Sequence, residues 1–202
     1  MTKKGLMLLF SCVFIILIIT GCGKKEIKTE DIIKQLKEIE SYSCNIEIHN
    51  KNSKQEIVYD CMQYYNRKYG HRLDINDERV LIFKGNDIQI NDLNSGTFYL
   101  TSKNFDSVFK LSFIEEYIGL LYTDEEVKCV FENENGRNIM LIYLNIPGSN
   151  RNLNRAVMYV DAENAIPIKT VIYDFNDSEK IQFIYKNFTT TEEIGEERFK
   201  IE

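Results

Sequence analysis

A chain of 202 residues, 44% hydrophobic and 12% aromatic, carries enough apolar side chains for one well-buried domain and too few for two large ones. Acids outnumber bases 31 to 25, a formal charge of −6, which argues against the basic face a nucleic-acid binder needs to displace phosphate counterions. Two prolines, ten glycines, two histidines and five cysteines without a CxxC pair exclude a low-complexity chain and the familiar zinc frameworks.

Lys3 and Lys4 precede the apolar run Leu6–Ile19, broken only by Ser11, and small residues follow at Thr20-Gly21. A positive start, a short apolar stretch and a small-residue exit predict a secretory signal, and the run is shorter than the roughly 20 residues a membrane-spanning helix needs. Ile19-Thr20-Gly21-Cys22 resembles the bacterial lipobox: an aliphatic residue, a small or β-branched one, Gly, then Cys. The resemblance implies cleavage before Cys22 and modification of its sulfur and amino group by diacylglycerol and an N-acyl chain. Several acyl chains at about 0.8 kcal/mol per buried CH₂ give stable anchoring where one would be marginal. The expected organisation is a signal peptide over 1–21, a lipidated tether over 22–28 and one domain over 29–202. That places the chain outside the cytoplasm, held to the membrane through Cys22.

Thr29–Tyr42 predicts an amphipathic helix, with Ile32, Ile33, Leu36 and Ile39 on one stripe, Thr29 as N-cap and Glu30 and Asp31 at the positive end. From Tyr42 the period becomes two: Tyr42, Cys44, Ile46 and Ile48 alternate with Ser43, Asn45, Glu47 and an outward His49. Glu56–Tyr65, His71–Ile75, Arg79–Lys84, Asp87–Leu93 and Thr97–Leu100 continue an antiparallel meander, with turns at Gly85-Asn86 and Asn94–Gly96. Asn104–Thr123 breaks the pattern: Phe105, Val108, Phe109, Phe113, Tyr117 and Leu121 recur at helical spacing. One or two short helices are expected, the second near Ser112–Tyr122 behind a Ser112-Phe113-Ile114-Glu115 capping box. The aromatic stripe Phe105, Phe109, Phe113 and Tyr117 fits either a packed core or the lining of an apolar cavity.

Strands resume at Glu126–Glu132 and Arg137–Ile146, joined by Asn135-Gly136 as a type I′ turn, then Arg155–Asp161, Ile166–Phe175 and Lys180–Phe188. Arg137–Ile146 and Ile166–Phe175 are apolar on both faces, so both faces need a cover, whether a helix, a bound apolar ligand or another chain. The polar tail Thr189–Glu202 adds a last short strand around Arg198–Ile201. The expected fold is mainly β: ten or eleven antiparallel strands, one helix before them and a helical insertion midway.

No GxSxG, P-loop or GxGxxG is present, and His49 and His71 lie apart without flanking ligands, so neither a metal nor a cofactor is expected. Cys44, Cys61 and Cys129 occupy apolar strand patterns typical of inert buried thiols, and Cys44 and Cys61 fall on adjacent strands where a disulfide is open to an exported domain. Glu115-Glu116 and Glu196-Glu197 read as solvated faces. The residues point away from an enzyme.

The lipobox, the leading helix, the long meander and the helical insertion together resemble the LolA/LolB/RseB group of extracytoplasmic proteins. The nearest local match is Tyr159-Val160-Asp161 through Ala165-Ile166-Pro167-Ile168-Lys169 to Tyr173-Asp174, a strand ending in Asp, a loop and an apolar-Pro dipeptide opening the next strand. The resemblance implies a curved half-barrel with helices over its concave face. Within the group, a short acidic lipoprotein rich in Lys, Asn and Ile is most similar to the clostridial germination lipoproteins of the GerS family. That likeness implies a non-catalytic protein that binds and activates a cortex-modifying N-acetylmuramoyl-L-alanine amidase, with a homodimer as a further expectation. Two other readings stay open: an acyl-chain binder and an RseB-like envelope sensor.

Overall fold

The computed structural model describes residues 28–52, 54–106, 108–123, 127–148, 150–190 and 193–200. Helix α1 (Thr29–Lys37) leads into six strands: β1 (Ser41–Lys51), β2 (Glu56–Asn66), β3 (Gly70–Ile75), β4 (Arg79–Lys84), β5 (Asp87–Asp92) and β6 (Thr97–Ser102). Two 3₁₀ turns, Lys103–Phe105 and Phe109–Ser112, precede helix α2 (Ile114–Leu121). Five strands follow, β7 (Cys129–Glu134), β8 (Arg137–Asn145), β9 (Arg155–Asp161), β10 (Ile166–Tyr173) and β11 (Glu179–Thr189), then a 3₁₀ turn at Glu196–Phe199. No helix among the described residues is long and apolar enough to cross a membrane.

All eleven strands form one open, curved antiparallel sheet in the order β6-β5-β4-β3-β2-β1-β11-β10-β9-β8-β7. Two meanders therefore run outward from a central β1–β11 seam. The chain leaves the first meander at one edge and must enter the second at the opposite edge. It makes that journey across the concave face, and this crossover is the helical insertion. Ile32 and Leu36 of α1 and Leu111, Phe113, Ile114, Tyr117, Ile118 and Leu121 of the crossover join the alternate strand residues Tyr42, Cys44, Ile46 and Ile48 in one core.

Local chemistry fixes the element ends. Asn135 and Gly136 both adopt positive φ, the requirement of a type I′ hairpin turn. Gly70 opens β3 at φ 103°, where a Cβ would collide with the Phe83 carbonyl oxygen. Helix α1 starts one residue after the N-cap position, which Lys28 holds in place of the expected Thr29, and it stops at Lys37 rather than Tyr42. The Arg67 guanidinium donates to Lys37 O at 2.6 Å and to Ile39 O at 3.1 Å, satisfying carbonyls that a longer helix would have used.

The convex face resolves the two-sided strands. Ile139, Leu141 and Val157 form a small outer cluster beneath Tyr143, Tyr159, Ile168 and Tyr173. Lys128, Lys169 and Arg155 lie over Tyr143, Tyr159 and Tyr173 at 4.9, 4.3 and 4.0 Å from the ring centroids. These strands thus cover themselves with their own aromatic rings and cationic stems. Val80 and Ile82 of β4 are apolar on the convex side and are covered by Ile194 and Phe199. That need replaces the expected terminal strand with a 3₁₀ turn, held where Asn66 Nδ2 donates to Ile194 O and Arg72 Nη1 to Arg198 O.

Candidate binding site

The crossover is pinned to the concave face by buried polar groups. The Tyr117 hydroxyl donates to Ile142 O at 2.7 Å and accepts from Met158 N at 3.1 Å, where β8 and β9 face each other. The Tyr42 hydroxyl donates to Gln63 Oε1 at 2.9 Å and accepts from Ile114 N at 3.3 Å, while Gln63 Nε2 donates to Ser112 Oγ at 2.8 Å. Tyr185 adds a hydroxyl bond to Ser112 O at 2.8 Å. Gln63, Ser112 and Tyr117 are wholly buried, so each bond replaces water that cannot enter.

This network corrects the capping box. Phe113, not Ser112, occupies the N-cap of α2 and its ring offers no capping acceptor, while the Ser112 hydroxyl is committed to Gln63 and to Phe109 O. Glu115 and Glu116 are not a solvated face either. Glu115 meets His71 Nε2 in a close hydrogen bond and Glu116 meets Lys103 Nζ in a close ion pair, and the two contacts fasten the start of α2 to β3 and to the exit of β6. His71 is buried, stacked on Tyr65 with centroids 5.0 Å apart and set 4.4 Å from Phe113.

His71, Glu115 and Glu116 bring three ligand atoms within 4.8 Å of one another, a donor set of the kind that can hold a divalent cation. Both carboxylates already have partners there, Glu115 a hydrogen bond to His71 and Glu116 an ion pair with Lys103. His49 lies apart on the convex side of β1, between Glu47 and Glu56.

The described rings of the aromatic stripe, Phe109, Phe113 and Tyr117, pack against the core. Phe113 and Tyr117 are 0% exposed, and half-buried Phe109 meets Tyr59 edge-on at 6.3 Å. None of these three lines a described pocket, because the half-barrel is filled by the crossover itself. The Phe105 side chain and Cys22 lie outside what is described. What stays open is a groove of about 770 Å³ between α1 and α2, with Ile33, Ile118, Tyr122 and Val127 on its apolar floor. A Cβ added at Gly119 would meet nothing within 4 Å, so the groove is open there. Lys37 lies over the exposed Tyr122 ring at 4.3 Å, and Arg67 and Glu115 stand at the groove wall.

The three cysteines among the described residues, Cys44, Cys61 and Cys129, are free thiols. Register sets Cys44 opposite Gln63 and Cys61 opposite Ile46, so the two are staggered and form no disulfide. Burial pushes the Cys44 thiol far above its ordinary range, Cys61 to about 12 and Cys129 to about 11. Thiolate chemistry is thereby suppressed at all three. Sequence reasoning missed the buried polar partners of the crossover, Gln63, Tyr185, His71 and Lys103; of these Gln63, a polar residue at the inward phase between Cys61 and Tyr65, carried a signal in its misplaced polarity.

The profile of the family described as Sporulation protein YdcC-like matches residues 2–199. The chain belongs to the YdcC-like sporulation protein family. Comparison with curated protein sequences finds no match. Among solved structures, an uncharacterized conserved protein from Thermus thermophilus superposes with a TM-score of 0.58 at 7% identity, covering 87% of this chain and 94% of that one. The likeness establishes the shared fold. A LolA superfamily protein from Nitrosomonas europaea gives 0.44 at 11% identity, covering 85% and 97%. The structure of the Clostridioides difficile CwlD amidase in complex with the GerS lipoprotein gives 0.47 at 22% identity, covering 83% and 96%.

Proposed function

We propose that this member of the YdcC-like family is an extracytoplasmic, lipid-anchored and non-catalytic protein that serves spore germination by binding and activating a cortex-modifying N-acetylmuramoyl-L-alanine amidase. The family match over residues 2–199 carries the link to sporulation. The partner class follows the sequence likeness to the clostridial germination lipoproteins, and the anchor follows the lipobox at Ile19–Cys22. The chemistry of the concave face agrees with a binding role: its thiols are suppressed, and its histidine and carboxylates are engaged in contacts that hold α2. A tether over 22–28 at about 3.4 Å per residue would keep α1 and its groove within roughly 25 Å of the lipid headgroups.

The test is reconstitution. Full-length chain purified in detergent is mixed with the sporulation amidase of the same organism, and both complex mass and release of peptide from peptidoglycan are measured. A complex near one to one with a rise in amidase activity supports the reading. An amidase that is fully active alone and forms no complex overturns it.

The groove between α1 and α2 favours a second reading, an acyl-chain site, because its floor is apolar and open at Gly119. Lipid co-purifying with the wild-type chain but lost from Gly119→Trp would promote it.

A further inference from the structure

Three tyrosines share the convex side of the second meander. Tyr143 of β8 stands opposite Val157, Tyr159 lies two residues along β9 from Val157, and Tyr173 of β10 stands opposite Arg155, two residues the other way. The rings therefore surround Val157, which is 2% exposed, and with it line a bowl of about 510 Å³. That volume falls within the roughly 300–1,000 Å³ of small-ligand sites. Ile139, Leu141 and Val157 need a cover, and aliphatic side chains would suffice for it; here the cover is rings that end in hydroxyls. Each half-buried tyrosine offers an apolar face and a polar tip at once.

The rim is basic, although the chain as a whole carries −6. Lys128 and Arg155 line the bowl and Lys169 stands over Tyr159, while the one carboxylate of the lining, Asp177, accepts from Arg155 Nε at 2.8 Å. Lys128 and Lys169 have no ion-pair partner among the described residues; each rests on a ring. A cation on an exposed ring is held weakly, and a carboxylate accepting a charge-assisted hydrogen bond is its stronger partner. A ligand that bears one draws the lysines off the rings and bares ring surface to the rest of itself. The negative π faces then meet the slightly positive C–H groups of a pyranose ring, and the hydroxyl tips pair with sugar hydroxyls and N-acetyl groups.

We infer that this bowl binds an anionic glycan, a strand of N-acetylated sugars with free carboxylates. That the strand is peptidoglycan rests on the amidase reading. Hydrolysis of an N-acetylmuramoyl-L-alanine amide adds water across the C–N bond, releases the peptide as an amine and leaves a carboxylate on the lactyl group of the sugar. The product strand thus carries pyranose rings and carboxylates together; an uncut strand carries its carboxylates on the stem peptides. The bowl lies on the opposite side of the sheet from α1 and α2, so a glycan held there leaves the helices and their groove free for a protein partner.

The experiment sediments the full chain, in detergent, with intact peptidoglycan, with the peptide-free glycan an amidase leaves, and with chitin, a neutral strand of N-acetylated sugars. The chain should pellet with at least one of the two peptidoglycan forms, about tenfold more tightly than with chitin, and less as salt is raised. Pelleting with the intact strand alone identifies stem-peptide carboxylates as the ligand, and with the stripped strand alone the lactyl carboxylates. Lys128→Gln with Lys169→Gln should weaken binding about tenfold at an unchanged urea midpoint, because both lysines lie at the surface. Tyr159→Ala should weaken it as well, and Tyr122→Ala, an exposed ring on the concave side, should not. No binding at about 1 mM sites, equal binding to chitin, or a lysine pair variant that binds like the wild type overturns the inference. So does a pair variant that keeps the glycan and loses the amidase, since the bowl is then a protein interface. A wild-type chain that binds peptidoglycan through these residues and forms no amidase complex counts against the proposed function alone.

Discussion

Replacing Tyr117 with phenylalanine deletes one oxygen from the centre of the core and leaves the ring in place. That oxygen serves Ile142 O and Met158 N, and Tyr117, Ile142 and Met158 are each 0% exposed. Ile142 and Met158 are directly opposed in the β8–β9 ladder and keep each other as partners, so the variant removes only the hydroxyl's own bonds, worth about 0.5–1.5 kcal/mol each net. The expected loss is about 1–2 kcal/mol. In a domain of this size that corresponds to a fall in Tm of roughly 3–6 °C. Urea titration followed by circular dichroism measures the loss, with Tyr122→Phe, 59% exposed, as the silent control. A Tyr117→Phe variant within about 0.5 kcal/mol of the wild type would refute the reasoning and reduce Tyr117 to ring packing. The same variant separates core from cavity: a ligand-lining ring made more apolar would keep or tighten lipid binding without costing stability.

The raised thiols set an alkaline limit. Folded values of about 12 for Cys61 and about 11 for Cys129 lie above the unfolded value of 9.0, so their stabilising contribution is complete below pH 9 and lost as pH rises towards 11–12. Urea midpoints should fall across that window and fall less in Cys61→Ala, and a thiol reagent at pH 8 should label these cysteines only after unfolding. Phe199→Ala strips the cover from Val80 and Ile82 and should cost roughly 3 kcal/mol by urea titration. Lys103→Met removes a half-exposed ion pair at the start of α2 and should change stability by less than about 1 kcal/mol. Cys22→Ala should move the chain from the membrane fraction to the soluble fraction.

Strands buried on one face were legible because burial writes its period into the sequence: the expected His71–Ile75 and Asp87–Leu93 are found at Gly70–Ile75 and Asp87–Asp92, within a residue of where alternation places them. Edge strand β7 was displaced from Glu126–Glu132 to Cys129–Glu134, since a strand exposed along most of its length carries little alternation. The order of strands was not legible at all. Nothing local in Ser41–Lys51 says that its second neighbour is Glu179–Thr189, because strand choice depends on the whole sheet closing over one core. The polar part of the site was hidden for a related reason. Ser112 and Glu115 have the spacing of a cap, yet tertiary partners, Gln63 and His71, claimed both side chains. The convex covers were signalled only as a need: apolar residues on both faces required something, and Tyr143, Tyr159, Tyr173 and Phe199 supplied it.

The central seam bears on how the molecule reaches this state. Asn45 and Asn187 touch across it although 142 positions separate them in the chain, and β11 also supplies Tyr185 to the crossover. Emerging from the N-terminus, β1 has β2 on one side and an open flank on the other until almost the whole chain has been released. Loop closure of that length is slow, and an unpaired apolar strand is prone to misassociation while it waits. Refolding should therefore be late-limited by arrival of the last strand, and a chain cut before Glu179 is not a smaller version of the fold but two half-sheets without a common axis.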